Sequence, residues 1–395
     1  MLFYSTFPFN FATSEKGYSK TTLKTLTTYS REGSEYLPEI RVAIAGVGNC
    51  ASALIQGVEF YKDVEEDVPL PGLMHVNFGG YHIKDIKFVA AFDVNKNKIG
   101  KDLAEAIFAE PNCCAKFADV PSLGVKVLPA PILDSVAEHM KEPLKVHRKD
   151  EVKLADVIEI LKKTQADMII NYLPVGSQKA TRLYAQAALD ADCAFVNCIP
   201  EFIASDPEWN KKFEDKKLPI AGDDIKSQLG ATILHRSLAK LCLDRGVKIN
   251  ETYQLNLGGN TDFLNMTVEE RLKTKRISKT EAVTSLVPYN VPTRIGPSDY
   301  VSFLGDKKIC YILLEGRKFG NQPVTIKAKL EVEDSPNSAG VVIDVIRAVK
   351  IALDRKIAGS LISISSYAFK HPPTQVPDPV AKQWVEDYIK GKRER

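Results

Sequence analysis

The sequence contains no apolar run near the roughly 20 residues that a membrane-spanning helix requires, so it predicts no membrane protein. Its charge is nearly balanced, and a formal net charge of +3 offers no bulk attraction to nucleic acid. Histidine is scarce, with six dispersed residues, and no CxxC pair occurs, so a structural zinc site has no support. The 395 residues, 44% of them hydrophobic, predict a large globular protein of about two domains.

Cysteine is present, but not in a pattern that indicates disulfide bonds. The seven cysteines are an odd number and are scattered along the chain, with Cys113 and Cys114 adjacent. Such usage favours a reducing compartment. The sequence therefore predicts a cytoplasmic protein.

Residues 1–38 differ in composition from the rest of the chain. They are rich in Ser, Thr and aromatic residues and lack the apolar segment after a basic start that marks a secretory signal. Glu15, Glu32 and Glu35 argue against a transit-like leader. We expect a disordered extension, or residues upstream of the true start codon.

Alternating strand and helix patterns predict the fold. The apolar run Val42–Ala45 indicates a buried parallel strand, followed by glycines and a helix over residues 50–61. Further strand–helix pairs follow, including a helix over residues 178–190. This alternation predicts an α/β fold with a Rossmann-like, doubly wound parallel sheet.

After about residue 224 the pattern changes to strands that alternate apolar and polar residues, as in a sheet with one exposed face. A long amphipathic helix then begins near residue 335. We therefore expect an α+β insertion within a nucleotide-binding domain. The predicted boundaries are 1–38 for the disordered extension, 39–224 for the Rossmann domain, 225–334 for the insertion and 335–395 for the return to the Rossmann domain.

The segment Gly46-x-Gly48-x-x-Ala51 lies between a predicted strand and a predicted helix. Glycines there allow close backbone approach, and the helix N-terminus offers N–H groups to a pyrophosphate. Asp93 ends the next predicted strand, where a carboxylate would bind the adenosine ribose and favour NAD over NADP. The usual spacing is about 20 residues, so residues 63–85 must form an excursion. The alternative is a glycine turn in an unrelated α/β protein.

A second turn, Asn171–Ser177, follows another predicted strand at its carboxyl end, the edge at which such sheets bind ligands. Gly176 and Ser177 could meet the nicotinamide side of a cofactor. An ordinary strand-to-helix turn, with Ser177 as the helix N-cap, explains these residues equally well.

The stretch Arg271–Lys279 places five cations in nine residues. Lys275 and Lys279 are four residues apart and therefore lie on one face of a helix. Charge alone favours a solvated surface helix, and the alternative is a site that binds anions. Other polar clusters at predicted element ends are, taken singly, turns with solvated charge.

Together these segments resemble the myo-inositol-1-phosphate synthase family, in its shorter archaeal and actinobacterial form. The similarity extends from about Val42 to Pro373. The motifs that carry it include GVGNCASALIQGVEFYKD, FVAAFDV, NYLPVGS, GDDIKSQLGAT, LNLGGNTDFLNM, RISKTEAVTS and DSPNSAG. So many motifs in one order make the resemblance specific.

The resemblance implies an isomerase, inositol-3-phosphate synthase, which begins inositol and inositol-phospholipid biosynthesis. The family converts D-glucose 6-phosphate to 1D-myo-inositol 3-phosphate by C5 oxidation, enolisation, aldol closure and reduction, regenerating NAD+ in each cycle. It also implies that the insertion carries catalysis and builds a homotetramer. A divalent or monovalent cation stays an open question, because no compact ligand cluster is visible.

The resemblance further implies which residues form the site. The expected catalytic residues are Lys275, Lys279, Lys308, Lys370, Asp224, Lys226, Asp334, Asn256 and Asp262. The expected cofactor-binding residues are Gly46, Gly48, Asn49, Cys50, Asp93, Pro174, Ser177 and Asp223. Lys275, Lys308 and Lys370 are expected to meet substrate oxyanions and transfer protons. Lys279 is expected to meet phosphate or enolate charge.

The sequence departs from the longer members of the family in two motifs. LGGNTDF replaces a GNND-type string, and KSQLGA replaces a KSGQT-type segment, which leaves the contact of Gln228 open. Lys307 lies beside Lys308 and competes with it for one role, but the Asp-x-Lys spacing favours Lys308. Two other functions fit the nucleotide signal: a dehydrogenase with a net redox product, and an NAD-responsive regulator without catalysis. The complete set of motif lysines argues against the regulator.

Overall fold

The computed structural model describes residues 39–66, 68–147 and 152–395. The predicted disordered extension, residues 1–38, lies outside them. In chain order the strands of the described ranges are β1 (Ile40–Ala45), β2 (Asn77–Phe78), β3 (Tyr81–His82), β4 (Ile86–Asp93), β5 (Val127–Pro129), β6 (Met168–Asn171), β7 (Ala194–Asn197), β8 (Pro219–Gly222), β9 (Lys248–Gly258), β10 (Thr293–Tyr300), β11 (Lys307–Lys318), β12 (Gln322–Glu333) and β13 (Gly359–Ser360). The α-helices are α1 (Asn49–Tyr61), α2 (Leu103–Ala106), α3 (Leu154–Lys163), α4 (Gln178–Asp190), α5 (Pro207–Asp215), α6 (Ala231–Asp244), α7 (Thr261–Asn265), α8 (Lys273–Thr284), α9 (Asp334–Asp354), α10 (Ile362–Ala368) and α11 (Asp378–Ile389).

The larger sheet confirms the predicted doubly wound, parallel arrangement. Its strands follow the order β13-β8-β7-β6-β1-β4-β5, and each neighbouring pair is parallel. The chain leaves β1 toward β4 on one side and returns to β6 on the other. Such a switch point opens a crevice at the carboxyl ends of the strands, where ligands bind.

Helices cover both faces of this sheet because side chains of a strand alternate between its faces. Val42 and Ile44 of β1 pack with Ile346 of α9 in one apolar cluster, whereas Ala43 packs with Tyr184 of α4 in another. Burial of a large apolar side chain contributes about 1.5–3 kcal/mol. These two layers hold the carboxyl ends of the strands in place. The edge strand β13 was not predicted.

The excursion between α1 and β4 is fastened to helix α9. The backbone N–H of Met74 donates to Asp344 Oδ2 at 3.0 Å, and Arg347 Nη1 donates to the carbonyl of Val76 at 2.6 Å. The excursion includes the β2–β3 hairpin. It therefore explains the long separation between the glycine turn and Asp93.

The second sheet has the order β10-β9-β11-β12 and is antiparallel except for the parallel pair β9–β10. Its inner face packs against α6 and α8 through Leu314, Ala239 and Val283.

The predicted boundary at residue 334 coincides with the start of α9, and the domain division stays a prediction. No helix of the described ranges is both long and apolar enough to cross a membrane.

Candidate active site

The glycine turn lies at the switch point and leaves room for a ligand. Gly46 has φ +94°, and a Cβ atom there would lie 2.7 Å from the carbonyl oxygen of Tyr172, so only glycine fits. A Cβ atom on Gly48 would meet nothing within 4 Å. Helix α1 begins at Asn49, and its first turn has no side-chain cap. Its backbone N–H groups can therefore bind a pyrophosphate.

Asp93, at the end of β4, binds this turn. Its Oδ2 accepts from the N–H of Val47 at 2.7 Å, and its Oδ1 accepts from the N–H of Asn95 at 2.7 Å. The neighbouring Lys98 was not predicted; its buried ammonium group donates to the carbonyl of Val47 at 2.7 Å. Burial lowers the pKa of Lys98. The carboxylate thus fixes the turn while lining the cleft.

One cleft joins this turn to the second sheet. All but three of the expected site residues line it, and they come from both halves of the chain. The lining residues are Gly46, Gly48, Asn49, Cys50, Asp93, Pro174, Asp224, Asn256, Asp262, Lys275, Lys279, Lys308, Asp334 and Lys370. Among the described residues no group of three His, Cys, Asp or Glu side chains is arranged to hold a metal ion.

Three lysines of the cleft each pair with a carboxylate. The Nζ–Oδ distances are 2.7 Å for Lys275–Asp262, 2.9 Å for Lys308–Asp334 and 2.7 Å for Lys370–Asp224. Burial alone would raise the pKa of Asp224, but Lys370 and Lys275 hold it below its usual range. The hydroxyl of Ser278 also donates to Asp224. These pairs keep charged groups ordered inside a buried site.

Lys279 differs from its neighbours. Its side chain is buried, with 6% exposed, and it has no hydrogen-bond or ion-pair partner within the described ranges. Burial, followed by the charges of Lys275 and Lys308, lowers the pKa of Lys279 well below its ordinary value. A lowered pKa makes a lysine better able to accept and return a proton. The expected role of Lys279, binding phosphate or enolate charge, stays a prediction.

Ser177 and Asp223, both expected to bind the cofactor, do not line the cleft. The hydroxyl of Ser177 donates to the carbonyl of Pro174 at 2.5 Å, and Ser177 provides no side-chain cap for α4. The buried Asp223 carboxylate accepts from the backbone N–H groups of residues 203–205 at 3.0–3.1 Å. Both side chains therefore bind the backbone of loops beside the cleft.

Lys226, expected to be catalytic, also lies outside the cleft lining. Its Nζ donates to the carbonyl of Ser366 at 2.9 Å and to Asp378 Oδ1 at 3.1 Å. Arg236 Nε binds the other oxygen of Asp378 at 2.9 Å. Burial lowers the pKa of Lys226 to about 8 despite its carboxylate partner. These contacts join the loop that carries Asp224 to helix α11.

Three buried polar atoms of the cleft have no hydrogen-bond partner within the described ranges: Tyr172 Oη, Asn256 Nδ2 and Asn265 Oδ1. Buried polar atoms are normally paired, so each is suited to a bound ligand. Tyr172 and Asn265 were not predicted. Their positions within NYLPVGS and NTDFLNM are the signal that could have found them.

The N-terminus of α6 forms a further part of the cleft. Residues 230–233 and Ser227 line it, and the helix has no side-chain cap. The free N–H groups at the start of a 14-residue helix favour an anion. Gln228 points elsewhere: it does not line the cleft, and its backbone N–H donates to the carbonyl of Asn337 at 2.7 Å.

Comparison with known proteins agrees with this geometry. Residues 230–335 match the family model described as myo-inositol-1-phosphate synthase. Over 365 residues the chain is 53% identical to the inositol-3-phosphate synthase of Mycolicibacterium smegmatis, covering 91% of this chain and 100% of that protein. The chain belongs to the myo-inositol-1-phosphate synthase family.

Other members of the synthase family support this assignment. The chain is 54% identical over 358 residues to the inositol-3-phosphate synthase of Corynebacterium glutamicum, covering 89% of this chain and 98% of that one. The crystal structure of a myo-inositol-1-phosphate synthase-related protein from Thermotoga maritima matches with a TM-score of 0.76 and 26% identity, covering 89% and 98% of the two chains. The family and the fold class expected from the motifs are confirmed.

Proposed function

We propose that the protein converts D-glucose 6-phosphate to 1D-myo-inositol 3-phosphate, the first step of inositol and inositol-phospholipid synthesis. The observation that carries the proposal is one cleft that joins a nucleotide-binding glycine turn to four lysines. The relatives from Mycolicibacterium smegmatis and Corynebacterium glutamicum are named inositol-3-phosphate synthases. We also expect a cytoplasmic location, because the seven cysteines are free thiols.

NAD fits the half of the cleft beside the parallel sheet. The open space at Gly48 and the free N–H groups of α1 suit its pyrophosphate. Asp93 would bind the adenosine ribose and repel a 2′-phosphate, which favours NAD over NADP. When bound, NAD supplies oxidation at C5 and the later reduction of the ring ketone.

The start of helix α6 is suited to the substrate phosphate. The N–H groups of residues 231–233, the hydroxyl of Ser227 and the positive end of the helix dipole favour a dianion there. The phosphate would then fix one end of the sugar. This leaves the reacting carbons free to meet the lysines.

Proton transfer is assigned to Lys279, because burial and the neighbouring lysine charges lower its pKa and so favour the neutral amine that a base requires. It takes the C6 proton, which leaves an enolate. The charges of Lys275, Lys308 and Lys370 stabilise the negative oxygen, and Asn256 Nδ2 offers a further donor. The enolate carbon then attacks the C1 aldehyde and closes the ring, and the alkoxide formed at C1 takes the proton back from Lys279. The lysine side chains are largely buried, which strengthens these charge interactions.

A product assay tests this proposal against the two alternatives. With a trace of NAD+, glucose 6-phosphate should yield inositol phosphate in phosphorus NMR spectra without net NADH. One NADH per product would indicate a dehydrogenase. Binding of NAD+ without turnover of any hexose phosphate would indicate a regulator.

We propose that the protein assembles as a homotetramer through the outer face of the second sheet. Tyr253 and Leu255 of β9 lie opposite Leu313 and Tyr311 of β11, and Tyr253, Leu255 and Tyr311 are 39%, 39% and 41% exposed. Contiguous exposed apolar side chains of this kind mark protein interfaces. A symmetric contact between copies would cover them.

Tyr311→Glu should reduce the assembly to smaller species in light scattering, because it places a charge in the proposed contact. Leu241→Glu, at a 53% exposed position on α6, is the matched control and should leave the mass unchanged. A Tyr311→Glu protein that keeps the mass of the unaltered protein would exclude this face.

A further inference from the structure

Arg271 opens the cationic stretch, yet it is not a fully solvated side chain. Its guanidinium group is half-buried and binds the backbone of two separate loops. Nε donates to the carbonyl of Val175 at 3.0 Å, and Nη1 and Nη2 both donate to the carbonyl of Asp134 at 3.1 Å. One planar group therefore joins the turn after β6 to the segment after β5.

Both loops belong to the nucleotide edge of the parallel sheet. Val175 lines the cleft directly after Pro174. The carboxylate of Asp134 accepts from the N–H groups of Lys179 and Ala180, at 2.7 and 3.0 Å, and so caps helix α4. A shift of either loop would therefore move the wall against which a dinucleotide lies.

The close contact of Arg271 with the turn after β6 requires glycine at position 176. Gly176 has φ +84°, and a Cβ atom there would lie 3.0 Å from Arg271 Cβ and Nε. Asn265 adds a second donor, since its Nδ2 binds the carbonyl of Val175 at 3.0 Å. Arg271 and Asn265, both from the segment between β9 and β10, thus donate to one carbonyl oxygen in the turn after β6.

The same segment carries the active-site lysines. Arg271 precedes Lys275 by four residues and Lys279 by eight, and helix α8 begins only two residues after it. A rigid helix transmits the position of its first turn to the residues that follow. Arginine suits this contact because its fork of donors can bind two carbonyl groups at once, whereas a lysine is a single point charge.

We propose that Arg271 is a positioning residue that fixes where the bound cofactor lies relative to the lysines of α8. The inference rests on the proposed function, because that function places NAD in the cleft. Arg271 does not line the cleft; it acts through Val175 and Asp134. Removing it breaks the link to Asp134 and leaves the hydrogen bond from Asn265 to Val175 in place.

Calorimetric titration of the full-length protein with NAD+, without sugar, tests this role. Arg271→Ala should raise the Kd for NAD+ about tenfold, a loss of about 1.4 kcal/mol, and leave the KM for glucose 6-phosphate within about twofold. Arg271→Lys should behave like the alanine variant, because one ammonium group cannot span both loops. Arg276→Ala is the control: Arg276 pairs with Glu269 at 2.7 Å on the same segment, and its loss should leave the Kd unchanged.

The outcomes separate this inference from the proposed function. Failure of the unaltered protein to bind NAD+ would overturn both. If the unaltered protein binds NAD+ and Arg271→Lys binds it with the same Kd, the positioning role alone is overturned. A single positive charge at position 271 would then be sufficient. Equal changes in the Kd for NAD+ and the KM for the sugar would indicate general loosening, and would also overturn it. If Arg271→Ala does not fold, Arg271→Lys decides.

Discussion

Lys279→Arg should lower kcat about 10³-fold while the Kd for NAD+ stays within about twofold. Arginine is of similar length but does not lose its proton in a protein, so it cannot act as a base. In the unaltered protein, burial and the charges of Lys275 and Lys308 lower the pKa of Lys279 well below its ordinary value. The substitution therefore replaces an amine that can accept a proton with a fixed cation that cannot.

The pH dependence of kcat/KM provides a second test of Lys279 as the base. A base must be unprotonated, so kcat/KM of the unaltered protein should rise with pH as Lys279 loses its proton, below the ordinary lysine pKa of 10.5. That rise should be absent in Lys279→Arg. Lys273→Arg, an exposed position on the same helix, is the control and should match the unaltered protein. Near-normal kcat in Lys279→Arg would exclude Lys279 as the base.

Lys275→Ala should lower kcat about 10³-fold, because it removes a cation placed where negative oxygen develops. Lys275 Nζ lies 2.7 Å from Asp262 Oδ2, and both residues line the cleft. Without the lysine, the Asp262 carboxylate faces the cleft unpaired and repels the same developing charge. The effect on turnover should therefore exceed that of losing a hydrogen bond alone.

Steady-state kinetics combined with NAD+ titration check this prediction. Lys275→Ala should bind NAD+ nearly as the unaltered protein does. Asp93→Ala supplies the contrast, because Asp93 holds the glycine turn through Val47, and its loss should chiefly raise the Kd for NAD+. An active Lys275→Ala variant would place Lys275 outside the chemistry.

Local patterns in the sequence predicted most of the parallel sheet and its helices, although not the edge strand β13. The predicted helix over residues 178–190 is α4, and the apolar run Val42–Ala45 lies within β1. Periodicity and glycine turns are properties of neighbouring residues, so one sequence reveals them. The shared family motifs supplied the lysines of the second half, which charge patterning alone assigned to a solvated surface.

The remaining features depend on contacts between distant parts of the chain. Arg271 meets Val175 and Asp134, which lie 96 and 137 residues away, so no local pattern shows that its guanidinium group is half-buried. Lys226 was expected in the cleft, but its partner Asp378 lies 152 residues away on α11. Side chains of one motif can therefore point to opposite sides of a loop, and only the fold decides which of them meets the cleft.

Oxidation at C5, ring closure and return of the same hydrogen to the product should all take place in one cleft. The most direct measurement uses glucose 6-phosphate carrying deuterium at C5, with a trace of unlabelled NAD+, and mass spectrometry of the product. The inositol phosphate should retain the deuterium, and no labelled NADH should accumulate. Product without deuterium, or labelled NADH equal to the sugar consumed, would contradict it.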